Sequence, residues 1–151
     1  MSIVRDPSLA PAGQMKIRWV QDFMPALGAI RDVFAREKPF AGKKIAMSIH
    51  MEAKTAYLAL VLKAAGAEVH ATGCNPLSTQ DDVAAGLAEM GVTVCAWHGA
   101  TPEEYLAHLT QTLSCCPDLF IDDGGDLMEL LCGDCSQYAG NILGGCEETT
   151  T

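Results

Sequence analysis

The sequence predicts an α/β fold built on a doubly wound parallel sheet and preceded by an N-terminal helix. Three observations carry that expectation. Strand-like and helix-like segments alternate four times beyond Gly42, and most joins between them are only a few residues long. The chain has 151 residues, 49% hydrophobic and 19% charged, which suits one domain with a real core. Short joins between alternating strands and helices lead to parallel strands with right-handed crossovers.

Each element has a local reason. Met15 to Ala35 reads as an amphipathic helix interrupted or kinked near Pro25, with Trp19, Phe23, Leu27, Ile30 and Phe34 on one apolar stripe expected to pack into the core. Lys43 to Ile49 is a short buried strand, bounded by Gly42 and His50. Ala53 to Ala65 is rich in helix formers, and Gly66 sits where a left-handed cap ends it. Glu68 to Thr72 is a second strand, Asp81 to Met90 a helix closed by Gly91, and Val92 to Ala96 a third strand. Thr101-Pro102-Glu103-Glu104 forms a capping box that opens a helix running to about Leu113. Asp118 to Ile121 is a fourth strand, and Asp126 to Leu131 begins another helix.

Charge and cysteine content exclude several classes. Ten basic against nineteen acidic residues give a formal charge of −9, which disfavours binding to nucleic acid or to an anionic membrane. No apolar run approaches the roughly 20 residues that span a bilayer, and the first residues lack a signal-peptide pattern, so a cytoplasmic protein is expected. Seven cysteines without framework spacing read as free thiols, those at 74, 95 and 115 packing as small hydrophobes. Cys132-Gly133-Asp134-Cys135, with Cys146 beyond, lacks a matched second pair, so no metal site is expected there and no function is assigned to the stretch.

In open parallel sheets the ligand crevice lies beyond the carboxyl ends of the strands. The residues able to carry chemistry fall there: His50-Met51-Glu52-Ala53-Lys54-Thr55 after the first strand, Gly73-Cys74-Asn75-Pro76-Leu77-Ser78-Thr79-Gln80-Asp81 after the second, and Asp122-Asp123-Gly124-Gly125-Asp126 after the fourth. A histidine, several carboxylates, a lysine and small hydroxyl residues suit a polar small molecule such as a nucleoside or sugar. The three aspartates serve either a divalent cation or a turn with a helix cap. His70, His98 and His108 have no partner spacing and read as structural or solvated.

Asn75-Pro76-Leu77-Ser78-Thr79-Gln80-Asp81-Asp82, Ile121-Asp122-Asp123-Gly124-Gly125-Asp126 and Glu147-Glu148-Thr149-Thr150-Thr151, in that order and spacing, resemble the signatures of the adenosylhomocysteinase (S-adenosyl-L-homocysteine hydrolase) family. Asp6-Pro7-Ser8-Leu9-Ala10 and Met24-Pro25-Ala26-Leu27 fit the family's opening, so the resemblance runs from about Asp6 to the last residue. It implies a Rossmann-like substrate-binding domain and reversible hydrolysis of S-adenosyl-L-homocysteine to adenosine and L-homocysteine. Bound NAD oxidises the ribose 3′-hydroxyl, the C4′ proton becomes acidic, homocysteine leaves C5′, water adds, and the ketone is reduced again.

By position in those motifs, the resemblance makes His50 and Asp123 the catalytic acid/base pair. Glu52, Lys54, Asp123 and Glu148 bind substrate, and Thr149, Thr150 and Thr151 touch NAD. The family's remaining ribose-binding lysine and Asp-Asn pair, and a Gly-x-Gly-x-x-Gly dinucleotide fingerprint, do not occur in the sequence. The expectation is therefore an N-terminal arm over residues 1–14, an incomplete substrate-binding domain over 15–151, no NAD-binding domain, and no turnover by the chain alone. Complete family members assemble as homotetramers.

Many family members carry Thr and then Gln or Glu at the positions of Glu52 and Lys54. A lysine ammonium only donates hydrogen bonds, which favours a 6-oxo base and resembles the archaeal and thermophilic branch, where S-inosyl-L-homocysteine is the alternative substrate. Lys54 pairing with Glu52 is the competing geometry. The rival from another class is a non-catalytic nucleoside-binding or regulatory module.

Overall fold

The computed structural model describes residues 1–148. Six parallel strands form one open sheet, and their arrangement follows from a run of short, buried strands that helices cover on both faces. In chain order the elements are β1 (Ile3–Val4), α1 (Ala10–Gln21), α2 (Pro25–Glu37), β2 (Lys44–Ser48), α3 (Ala53–Ala64), β3 (Glu68–Thr72), α4 (Asp81–Glu89), β4 (Thr93–Ala96), α5 (Pro102–Leu113), β5 (Leu119–Asp122), α6 (Asp126–Cys132) and β6 (Gly144–Glu147). Short 3-10 turns cover Pro7–Leu9 and Ser136–Asn141.

The spatial order is β1-β4-β3-β2-β5-β6. β2 lies between β3 and β5, with Ile45 beside Val69 on one side and beside Leu119 on the other. From β2 the chain winds outward through β3 to β4, then crosses back to β5 on the opposite side. β2 alternates its side chains between two cores. Ile45 and Met47 join Tyr57, Val69, Leu87 and Val94 beneath α1 to α4, while Ala46 joins Leu109, Leu113, Phe120, Leu127 and Leu131 beneath α5 and α6.

The capping box at Thr101 forms as its sequence predicts: Glu104 N donates to Thr101 Oγ1 and Thr101 N donates to Glu104 Oε2. Gly66 and Gly91 follow α3 and α4 with φ of +98° and +85°, the left-handed geometry expected of such stops.

Three features differ from expectation. First, the N-terminal helix starts at Ala10, not Met15, with the expected interruption at Pro25 dividing it in two; residues ahead of it contribute a strand, with Ile3 and Val4 pairing with Cys95 and Ala96 at the sheet edge. Second, most of the apolar stripe is not core: Leu27 packs against the core, but Trp19, Phe23 and Ile30 are exposed. Trp19 and Phe23 are 63% and 64% exposed, and α1 buries Ala10, Gly13, Ile17 and Val20 instead. The reason is packing distance: Gly13 and Gly86 let the backbones of α1 and α4 meet, so α1 docks through its small residues and turns the aromatic face outward. Third, the stretch Gly144–Glu147, to which the sequence assigns no element, forms strand β6, where Gly145 pairs with Phe120. A side chain at Gly145 would collide with the Phe120 ring, so glycine there marks close packing inside a strand.

Candidate functional site

The order of the strands creates one switch point, between β2 and β5, where the chain leaves β2 toward α3 on one face and β5 toward α6 on the other. A crevice opens at the carboxyl ends of such a strand pair. His50 follows β2 by two residues and Asp123 follows β5 by one, so the topology brings together two residues 73 positions apart in the chain.

Asp123 has a side chain only 4% exposed, and its Oδ2 lies 3.6 Å from Nε2 of the half-exposed His50. The other ring nitrogen of His50 is 2.5 Å from Ser78 Oγ, and that hydroxyl in turn donates to the Asn75 carbonyl at 3.1 Å. With its own proton committed to Asn75, Ser78 accepts from Nδ1–H, which leaves the lone pair on Nε2, directed at Asp123. At 3.6 Å the two groups form an ion pair whenever the imidazole carries both of its protons. The loop that carries Ser78 is held by an Asx turn, Leu77 N donating to Asn75 Oδ1, and by Thr79 Oγ1 donating to the Asn75 carbonyl.

Cys74 joins this pair, which sequence reasoning missed by reading it as a packing thiol. Its Sγ–H donates to Asp123 Oδ2 at 3.2 Å. Burial, reinforced by the neighbouring carboxylate, pushes the Cys74 thiol well up, so it stays protonated as the donor. Below it, the Tyr105 hydroxyl lies 2.5 Å from Asp126 Oδ2 and 2.9 Å from the Cys74 carbonyl oxygen, anchoring α5 to the loop after β3 and to the start of α6. Burial and Asp126 raise Tyr105 likewise, which keeps it a donor.

The other two aspartates of the cluster are structural. Asp122 is fully buried and accepts from Asp123 N and from Met128 N in the first turn of α6, while Asp126 receives Tyr105; Gly125 stands at the N-cap, so the aspartate that serves the helix start is Asp122 and not Asp126. Burial raises Asp122 above the usual carboxylate range against the pull of those backbone donors.

A pocket of about 440 Å³ beside His50 is lined by Ile49, Glu52, Lys54, Thr55, Ser78, Gln80 and Glu148. Glu52, Lys54 and Glu148 therefore face one space, whereas Asp123, the other expected substrate-side carboxylate, is buried beside His50 and does not line it. Glu148 reaches it because β6 pairs with β5 and Glu148 N donates to the Asp122 carbonyl at 2.8 Å. Lys54 is two-thirds exposed with Nζ 4.0 Å from Glu52 Oε1, a loose pair that leaves its donors available to the pocket. Thr55, in the first turn of α3, and Gln80, at the N-cap of α4, also line the pocket; both fall in the stretches after β2 and β3, and the sequence assigns neither a role. Thr149, Thr150 and Thr151, expected to touch NAD, lie outside the described residues.

Comparison with known proteins agrees with the geometry. The S-adenosyl-L-homocysteine hydrolase family model matches residues 2–150. The chain belongs to the S-adenosyl-L-homocysteine hydrolase family. Relatives within this family include an S-inosyl-L-homocysteine hydrolase of Methanocaldococcus jannaschii, 53% identical over 98% of this chain, and one of Methanococcus maripaludis, 52% identical over all of it. An adenosylhomocysteinase of Thermococcus kodakarensis is 49% identical over 98% of the chain. The chain spans about a third of the length of these relatives, 36%, 36% and 35% respectively.

Among the described residues of this family member no glycine-rich strand–turn–helix of the dinucleotide-binding kind occurs. The one Gly-Gly turn after β5, Gly124-Gly125, is tied to Glu147 through Gly124 N, which places a carboxylate where a pyrophosphate would need donors. The described residues thus do not fit NAD, and no step is assigned to them that needs it.

Proposed function

We propose that this chain supplies the nucleoside-binding and proton-transfer part of an enzyme that hydrolyses S-adenosyl-L-homocysteine to adenosine and L-homocysteine. The observation that carries this reading is the His50–Asp123 pair at the switch point, beside a pocket holding Glu52, Lys54 and Glu148. Breaking the C5′–sulfur bond requires a proton for the leaving thiolate, and adding water requires its removal. His50 Nε2, oriented through Ser78, is the group that gives and takes that proton, and buried Asp123 holds the imidazolium when it forms. Cys74 donates to Asp123 and keeps its carboxylate in line with the imidazole. Glu148 accepts from a ribose hydroxyl. The hydride acceptor is NAD, bound by protein outside the described residues. The partners are the small-molecule substrate and products, with neither nucleic acid nor membrane, and the site of action is the cytoplasm. The assembled enzyme is a homotetramer.

A second reading concerns the base. Lys54 Nζ offers only donors to the pocket, which complement the 6-oxo group of hypoxanthine better than the 6-amino group of adenine, and relatives named S-inosyl-L-homocysteine hydrolase are among the most similar proteins.

The test replaces the matching third of the Methanocaldococcus jannaschii relative with this chain and follows hydrolysis of the adenosyl and inosyl thioethers. Hydrolysis lost on His50→Asn with substrate still bound supports the catalytic reading. A chimera that folds yet acts on neither thioether overturns it. Preference for the inosyl compound that reverses in Lys54→Gln supports the second reading, and an adenosyl preference unchanged by that substitution removes it. The chain alone is expected to bind adenosine weakly or not at all; micromolar binding by calorimetry favours the rival, a binding module.

A further inference from the structure

Three electron-pair donors of different chemistry converge where the proposed proton transfer passes through His50 and Asp123 and leaves Cys74 only to hold the carboxylate. His50 Nε2, Cys74 Sγ and a carboxylate oxygen of Asp123 all lie within 4.8 Å of one another. Zinc bonds of about 2.0–2.3 Å at tetrahedral angles require donors roughly 3.3–3.6 Å apart. The His50–Asp123 separation of 3.6 Å falls in that range and the Cys74–Asp123 separation of 3.2 Å just short of it, so two of the three edges of a tetrahedral face need little adjustment.

The surroundings strengthen the resemblance to a metal site. A metal-binding histidine carries its proton on the nitrogen turned away from the ion, fixed by a hydrogen-bond acceptor. Ser78 Oγ is that acceptor here, at 2.5 Å from Nδ1, and the serine is itself tied to Asn75. Asp123 is buried and Cys74 half-buried, while His50 opens to the pocket lined by Glu52, Ser78 and Glu148, which leaves a fourth position for water or for a small sulfur or oxygen ligand.

We infer that His50, Cys74 and Asp123 form a three-ligand site for a borderline-soft divalent cation of the zinc class, with its fourth position facing the pocket. An ion bound there displaces the Cys74 proton to solvent, and the resulting imidazole, thiolate and carboxylate donors select zinc or cobalt over magnesium or calcium, which take sets of oxygen donors. If the proposed proton-transfer role holds, an ion bound there withdraws the His50 lone pair from the reaction and acts as an inhibitor. Metal binding itself does not depend on that role, and the test reads binding alone.

The experiment titrates the 151-residue chain with Zn²⁺ against a chromophoric chelator and separately with Co²⁺, whose spectrum reports a thiolate ligand and four-coordination directly. The Cys132→Ser/Cys146→Ser form serves as background, because both of those thiols are exposed and bind metal adventitiously. The site is expected to take one ion per chain in that background, with a sulfur-to-cobalt charge-transfer band. His50→Ala is expected to weaken binding by at least about tenfold, the lower bound set by losses of outer-shell partners. Cys74→Ser is expected to abolish the charge-transfer band. His50 is a half-exposed surface residue, so its removal leaves the fold intact even if Cys74→Ser does not. Absence of stoichiometric binding overturns the inference, as does affinity indifferent to His50→Ala or a charge-transfer band that survives in Cys74→Ser.

Discussion

His50 and Asp123 become a pair because Ser78 holds the imidazole from behind and Cys74 holds the carboxylate from beside it. The same logic of burial acts at His108, away from the site. Its ring stacks edge-on against Trp97 with centroids 4.1 Å apart, and it is buried, which depresses it from its ordinary 6.5 despite the opposing pull of Glu104. The unfolded chain therefore takes up the proton first as pH falls. The stability that neutral His108 contributes is complete above 6.5 and is lost as pH drops from there toward the folded value. Urea denaturation over roughly pH 5–7 is expected to show this loss, with a shallower slope in His108→Phe; equal slopes in the two proteins would remove His108 as the cause. The motifs made His50, Asp123, Glu52, Lys54 and Glu148 legible as residues of interest, but their order in the chain holds no trace of Cys74 reaching Asp123. That contact spans 49 positions and exists only because β3 and β5 flank β2.

Among the elements, α1 and α4 show how a small residue overrides helix propensity. Alanine at a helix interior is worth about 1 kcal/mol over glycine. At Gly13 a Cβ would fall far inside contact distance of the Asp82 carbonyl oxygen, in backbone that cannot step aside. Gly13→Ala is expected to destabilise the chain by about 1–3 kcal/mol. Gly28→Ala, in α2, meets only the Tyr57 hydroxyl at an ordinary 3.5 Å and is expected to be neutral or to stabilise by up to about 1 kcal/mol. Denaturation midpoints that rank the two the other way would contradict the close α1–α4 approach. Helices α3, α4 and α5 were readable because their stops and caps are local, as in the capping box at Thr101. β6 was not readable, because a strand made of Gly144, Gly145, Cys146 and Glu147 has no apolar alternation, and it forms through its neighbour Phe120.

Over the whole molecule, the stripe on the N-terminal helices is the largest divergence between pattern and packing. Trp19 and Phe23 lean on each other with ring centroids 4.4 Å apart and line an open apolar trough with Met15, Val20 and Met24. Such side chains contribute little to the stability of this chain. Trp19→Ser and Phe23→Ser are each expected to shift the unfolding free energy by less than about 0.5 kcal/mol, whereas Leu87→Ala, in the core, is expected to cost about 2–5 kcal/mol. A loss of more than about 1 kcal/mol at Trp19 would mean that the stripe packs within the chain. The sequence by itself determined the α/β class, the four alternations and the stretches that follow β2, β3 and β5, since those depend on local periodicity, capping and short motifs. Tertiary structure alone decided which face of α1 is buried, that Ile3–Val4 and Gly144–Glu147 extend the sheet, and that His50, Cys74 and Asp123 meet. Each of those outcomes depends on contacts between residues far apart in the chain, where backbone approach and strand order outweigh local preference.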